Sequence, residues 1–238
     1  MRIFITGGSS GLGKSLVEML ACQNKDKIFF TYCNSLKTAK EIEAKYNNVK
    51  KMHLDFTNEV SVQNIIKKIP DLNCDILVNN AYNSYENLHF RKINYKKFEN
   101  SFKVNVLPTL RITQAMIDVF ISKKFGKIIN ILTSYLISNP NIGLSEYIAN
   151  KAYLLSMNKS WATEYARFNI TSNAVSPSIM RNNFTKKIDD RILEIAEQKH
   201  PLNKFISEKD VCHAISYIIQ SSQHLNGQNV ILNAAEIL

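Results

Sequence analysis

Thr6-Gly7-Gly8-Ser9-Ser10-Gly11-Leu12-Gly13 decides the fold. It follows Arg2-Ile3-Phe4-Ile5, which reads as a short buried strand, and precedes an amphipathic helix with Leu16, Val17, Leu20 and Ala21 on one side. A glycine-rich turn in that position lets backbone approach a pyrophosphate, whose charge the helix N-terminus favours. Glycines alone would mark only a tight βα turn. Between a strand and a helix they form a dinucleotide-binding fingerprint.

Beyond this turn, strands and helices alternate without linker, repeat or low-complexity break. Lys27–Tyr32 reads as the second strand and Leu36–Tyr46 as its helix; Lys50–Leu54 is a third strand leading into Asp55. Glu59–Ile69 reads as a helix ending at Pro70, Asp75–Asn79 as a strand, and Tyr95–Ile121 as one long helical pattern despite Pro108. Gly126–Leu132 and Ile170–Val175 are further strands, separated by a helix over Glu146–Phe168; Lys209–Gln220 is a helix and Asn229–Leu232 the last strand. Such alternation implies right-handed crossovers and a doubly wound α/β fold: a Rossmann-type parallel sheet of about seven strands with helices on both faces. Residues 1–238 are expected to form a single domain.

Composition fits a soluble, cytoplasmic enzyme. No continuous apolar stretch reaches the roughly 18 residues of a membrane span, and Met1-Arg2 leads straight into a strand with no signal peptide. The four cysteines (Cys22, Cys33, Cys74, Cys212) form no CxxC pair and read as reduced structural thiols. The five histidines lack metal-ligand spacing, so no metal is expected. A formal charge of +10 could attract nucleic acid, but the bases are spread along the chain with no motif to organise them. Neither nucleic acid nor membrane is expected as a partner.

Tyr147-Ile148-Ala149-Asn150-Lys151 carries the chemistry. Residues four apart on a helix share a face, so the phenol and the ammonium meet at one site. The ammonium is expected to draw the phenol down from its ordinary value near pH ~10 toward a range useful for proton transfer.

On these motifs the chain resembles the short-chain dehydrogenase/reductase family over nearly its whole length. Thr6 to Gly13 matches the family's TGxxxGxG turn, which includes Thr6, Gly7, Ser9, Ser10, Gly11, Leu12 and Gly13 as cofactor-binding positions. Asp55 matches an acidic residue that contacts adenine, with Phe56 beside it; Asn79, Asn80 and Ala81 match most of an NNAG motif. Asn105 matches the catalytic asparagine and Tyr147 and Lys151 the YxxxK pair, while Pro177 matches a proline beside the nicotinamide, with Ile179 after it. The resemblance implies hydride transfer between nicotinamide and a carbonyl or secondary alcohol. Tyr147 would exchange the proton, Lys151 would bind the nicotinamide ribose and lower the tyrosine pKa, and Asn105 would hold a relaying water.

The hydroxyl partner is either Ser134, by spacing from Tyr147, or Thr133, by counting along the strand; Ser134 is preferred here. After the second strand, Asn34, Ser35 and Lys37 stand where a carboxylate would select NAD, so NADP(H) is favoured over NAD(H). Ser10, where NADP-dependent relatives often carry a base, points the other way. Tyr82 and Ser178 replace family glycines, Asn182 replaces a threonine, and the tail around Asn233 lacks the family's glycine pair.

A substrate lid is expected over Arg181–Leu202, with Phe184, Ile188, Ile192 and Ile195 either covering ligand or packing the lid onto the body; Tyr82, Tyr85 and Tyr135 would line the same mouth. The pattern is similar to 3-oxoacyl-thioester reductases and to reductases of sugar pathways, whose substrates are sometimes carrier-linked. It also implies a homodimer or homotetramer. The competing readings are a catalytically idle dinucleotide-binding regulator or scaffold and, last, a nucleic-acid binder.

Overall fold

The computed structural model describes residues 1–181, 185 and 190–236. Within them the chain runs β1 (Arg2–Ile5), α1 (Gly11–Cys22), β2 (Lys27–Tyr32), α2 (Leu36–Lys45), β3 (Val49–His53), α3 (Glu59–Leu72) and β4 (Ile76–Asn79). It continues through α4 (Tyr95–Asn105), α5 (Leu107–Lys123), β5 (Gly126–Ile131), α6 (Ser145–Tyr165), β6 (Ile170–Pro177), α7 (Asp190–Lys199), α8 (Glu208–Gln220) and β7 (Asn229–Leu232). The seven strands form one parallel sheet in the order β3-β2-β1-β4-β5-β6-β7. This is the doubly wound arrangement the alternation implies.

Alternation along the strands feeds two cores. Ile3 and Ile5 of β1 face one side, where Leu16, Val17 and Leu20 of α1 and Val211, Ile215 and Ile218 of α8 cover them. Phe4 faces the other side, among Val62 and Ile65 of α3 and Ile112, Met116 and Phe120 of α5. Successive side chains of a strand point to opposite faces, so one apolar tetrapeptide serves both layers.

Two helical readings need correction. Tyr95–Ile121 is not one helix but α4 and α5, parted at Val106. Pro108 lacks the N–H a continuous helix would require and sits instead in the first turn of α5, where that donor is not missed. Conversely, α3 passes through Pro70 and ends at Leu72, closed by Asn73 in the left-handed region (φ 45°). Taken together, Tyr95–Lys123 matches a membrane span in length and hydropathy, but 56% of its most apolar window is buried within the fold.

Lys127 on β5 is buried yet has no acidic partner among the described residues. Its Nζ donates to the carbonyls of Ile218 (3.1 Å), Ile219 (2.9 Å) and Ser221, capping the C-terminus of α8 where the helix dipole favours a cation. Lys127→Met would keep the stem's packing and strand these carbonyls. We expect a loss of about 2 kcal/mol in stability, seen as a lower urea midpoint with an unchanged slope.

Candidate active site

The C-terminal ends of β1 to β6 open into one cleft of about 610 Å³. Its floor lies where β1 and β4 send their chains to opposite faces of the sheet, the switch point at which ligands bind in such folds. Thr6 Oγ1 accepts hydrogen bonds from the N–H groups of Asn80 and Ala81 (3.0 Å each). The Asn80 carboxamide donates back to the carbonyls of Thr6 (2.9 Å) and Gly7 (3.2 Å). Thr6 therefore holds the turn from behind; Gly7, Ser9, Ser10, Gly11, Leu12, Gly13, Asn80 and Ala81 line the cleft.

This turn fits a pyrophosphate. Ser10 is the N-cap of α1 in extended backbone, its side chain makes no cap bond, and the first turn carries no acidic residue. The first N–H groups of α1 lack intrahelical acceptors, leaving donors for an anion. At Gly13 a Cβ would lie 2.2 Å from the Gly7 carbonyl oxygen, so only glycine lets the turn close this tightly.

At one end of the cleft lie Cys33, Asn34, Ser35, Leu54, Asp55, Phe56 and Thr57. The N–H and hydroxyl of Thr57 donate to the Asp55 carboxylate (2.8 and 2.7 Å), and these bonds hold its carboxyl below the usual range. Ser35 is the N-cap of α2 with its side chain free of any cap bond, and that first turn also lacks an acidic residue. Lys37 is exposed on α2 and does not line the cleft.

At the other end, Tyr147 and Lys151 project from the same face of α6. Lys151 Nζ donates to the Ile131 carbonyl (2.7 Å) and lies 5.7 Å from the centroid of the Tyr147 ring. Burial draws the Lys151 ammonium down to about 7. Burial also pushes the Tyr147 phenol up, with Tyr82 and Tyr85 adding to the rise and a hydrogen bond to Thr133 opposing it. The expected lowering of the phenol by the ammonium is thus overturned. Dehydration of both groups outweighs their attraction, because each charged form gives up more solvation than its neighbour returns.

The two candidate hydroxyls are placed differently. Thr133 lines the cleft within hydrogen-bonding reach of the Tyr147 phenol. Ser134, the residue preferred from spacing, turns inward: it is 1% exposed, its Oγ has no partner, and it does not line the cleft. A short 3-10 turn over Ser134–Leu136, capped by Thr133, follows β5.

Two other candidates lie outside the cleft wall. Asn79 is buried in the sheet, donating to Thr113 Oγ1 (3.0 Å) and Asn130 Oδ1 (2.9 Å). Asn105 Oδ1 accepts from the N–H of Asn83 (2.6 Å), and its Nδ2 donates to Ser101 Oγ (3.4 Å). Both shape the site indirectly. Pro177 at the end of β6 and Ser178, Ile179 and Met180 after it line the cleft, as do Tyr82, Tyr85, Tyr135 and Leu144. Asn182, Phe184 and Ile188 lie outside the described residues; Ile192 and Ile195 are exposed on α7 and do not line the cleft.

Sequence reasoning missed Asn150 and Ser101. Asn150 Nδ2 donates to Ser101 Oγ (2.9 Å) and to the Tyr82 hydroxyl (3.1 Å), so it supports the tyrosine cluster. Its signal was its place three residues after Tyr147, on the same helical face.

A family model described as short chain dehydrogenase matches residues 1–192. Curated relatives include the 3-oxoacyl-(acyl-carrier-protein) reductase of Rickettsia prowazekii, 29% identical over 98% of this chain and 95% of that protein. The reductase of the same name from Aquifex aeolicus is 29% identical, covering 94% of each chain. Among solved structures, a short chain dehydrogenase from Burkholderia cenocepacia in complex with NADP superposes with a TM-score of 0.85 at 20% identity, covering 98% of this chain and 96% of that one. The chain belongs to the short-chain dehydrogenase family and is an NAD(P)-dependent oxidoreductase acting on carbonyl and alcohol groups.

The lowered Lys151 value has a measurable sign. Between about pH 7 and the ordinary lysine range near 10.5, the unfolded chain binds a proton there that the folded chain does not. Stability contributed at this position therefore rises with pH across that window and is lowest below it. Urea unfolding at pH 7, 8.5 and 10 is expected to show wild type gaining on Lys151→Met as pH rises.

Proposed function

We propose that this chain reduces a carbonyl substrate with NADPH, with Tyr147, Lys151 and Thr133 as the catalytic residues. The observation that carries the reading is that these three side chains share one end of a cleft whose middle is the uncapped N-terminus of α1. When bound, the nicotinamide cofactor supplies the hydride. Tyr147 keeps its proton at neutral pH because burial raises its pKa, so its Oη is ready to donate to a developing alkoxide. Thr133 orients that oxygen through its hydroxyl. Lys151, with a pKa near neutrality, exchanges protons readily at Nζ and so restores the phenol, while holding ribose hydroxyls. Asn105 supports this end by fixing the backbone at Asn83.

NADP(H) over NAD(H) is supported by the loop after β2. No carboxylate occurs from Cys33 to Ser35, and Ser35 with the N-terminus of α2 offers donors to a 2′-phosphate. Asp55 and Phe56 line the same end of the cleft and would flank the adenine. The names of the curated relatives support a 3-oxoacyl thioester, free or carrier-linked, as substrate; a sugar-pathway ketone is the next candidate. We further infer a cytoplasmic homodimer or homotetramer, one domain over residues 1–238, and a substrate lid within Arg181–Leu202.

With acetoacetyl-CoA as the carbonyl probe, Tyr147→Phe is expected to lower kcat by roughly 10²–10⁴-fold while leaving NADPH affinity nearly unchanged. A Tyr147→Phe enzyme as active as wild type would overturn the reading. Thr133→Ala should cost about tenfold or more in kcat and Ser134→Ala little, because only the former hydroxyl reaches the cleft. In calorimetry on one preparation, NADPH should bind more tightly than NADH.

A further inference from the structure

We propose that Tyr82 is a positioning residue for Lys151: its ring face seats the buried ammonium, and its hydroxyl locks that ring to α6 through Asn150. The inference rests on the reductase reading of the site and extends it to a residue outside the hydride-transfer set.

Lys151 Nζ lies 4.6 Å from the centroid of the Tyr82 ring, inside the roughly 6 Å at which a cation is held by the ring's negative face. Its hydrogen bond to the Ile131 carbonyl uses one of three ammonium donors. Among the described residues no carboxylate forms a salt bridge with Lys151. The surrounding titratable groups are Tyr147 on α6, Tyr85 on the loop after β4, and Glu146, whose charge acts on Tyr82. Beside that carbonyl, the Tyr82 ring is nearer to the dehydrated cation than the Tyr147 ring, whose centroid lies at 5.7 Å.

That face is held in place. Asn150 Nδ2 donates to the Tyr82 hydroxyl (3.1 Å), while the same amide donates to Ser101 Oγ (2.9 Å). The ring also stands edge-on to Tyr147, with centroids 5.2 Å apart and planes at 81°. Two partners on α6, one at the edge and one at the hydroxyl, remove the ring's freedom to turn. A glycine at position 82 would provide neither a face nor an anchor, and Lys151 would be free to move off the Ile131 carbonyl.

The test begins on cofactor-free wild type by proton NMR of the lysine ε-methylenes, with Lys151 assigned by its absence in Lys151→Met. Its signals should stand upfield of the other lysines through the Tyr82 ring current, remain so in Tyr82→Phe, and return toward the bulk in Tyr82→Leu, which keeps volume without a π face. With NADPH and acetoacetyl-CoA, Tyr82→Phe should hold kcat within about threefold, and Tyr82→Leu and Tyr82→Gly should lose about tenfold or more with little change in KM. An unshifted Lys151 in wild type, a Tyr82→Leu enzyme equal to wild type, or a Tyr82→Phe enzyme as impaired as Tyr82→Leu would each overturn the proposal. The NMR arm uses no cofactor or substrate, so a wild type without turnover would count against the reductase reading alone.

Discussion

The reciprocal clamp between Thr6 and Asn80 is the constraint on which the site depends. One hydroxyl accepts two consecutive N–H groups from the end of β4, and one carboxamide returns two donors to the end of β1. The two strands are thereby tied at the point where their chains part, α1 passing to one core and α5 to the other. The N–H groups of Asn80 and Ala81 and the carbonyls of Thr6 and Gly7 thereby find partners at this exit, where a cleft opens beside the sheet. Gly13 completes the arrangement, since any side chain there would push the turn off the clamp.

Solvation, more than pairing, sets the protonation states at the other end. Two adjacent ionisable groups invite an ion-pair account, in which the ammonium stabilises a phenolate. In the folded chain, Lys151 gains a carbonyl, the Tyr82 and Tyr147 rings and, among the described residues, no carboxylate, while Tyr147 is enclosed by Tyr82 and Tyr85. Both therefore move toward their neutral forms. In the proposed reaction this divides the labour: the phenol would be a proton donor that stays loaded, and the lysine the group that titrates near neutrality. Bringing anionic phosphate groups into the cleft would favour the ammonium and shift this balance back toward a charged lysine.

Much of this was legible in the sequence because it is local. The strand–turn–helix at Ile5 to Gly13, the alternation of elements and the YxxxK spacing each express one period or one turn. What was not legible depends on distance or on competition. Pro108 looked tolerable in a long helix, yet a missing donor and a fresh N-terminus meet at Val106 and split it. Counting residues to Tyr147 favoured Ser134, whereas where each hydroxyl points depends on the 3-10 turn after β5, which leaves Thr133 lining the cleft and Ser134 buried. Ile192 and Ile195 read as a stripe that covers ligand or packs the lid onto the body; on α7 both are exposed, and Leu193 is the buried residue. Asn79 matched a family motif, but which of three adjacent residues lines the cleft is set by how β4 ends against β1, a tertiary fact.

Asn79 shows how the sheet fixes the rotation of the helix that carries the reacting groups. Its amide donates to Asn130 on β5, Asn130 donates to Asn158 on α6 (2.9 Å), and Ser172 on β6 donates to the same Asn158 oxygen (2.8 Å). Asn158 lies seven residues beyond Lys151, two turns along the same face of α6. An apolar contact there would tolerate rolling of the helix, whereas directional hydrogen bonds to two strands do not. The arrangement carries a cost, since Asn79 Oδ1 and Asn158 Nδ2 are buried without partners. A ladder of this kind adds little net stability, but it aims α6 so that Lys151 meets Ile131 and Tyr147 meets Thr133. The buried carboxamides are then best understood as positioning the chemistry from within the core, one layer behind the residues that perform it.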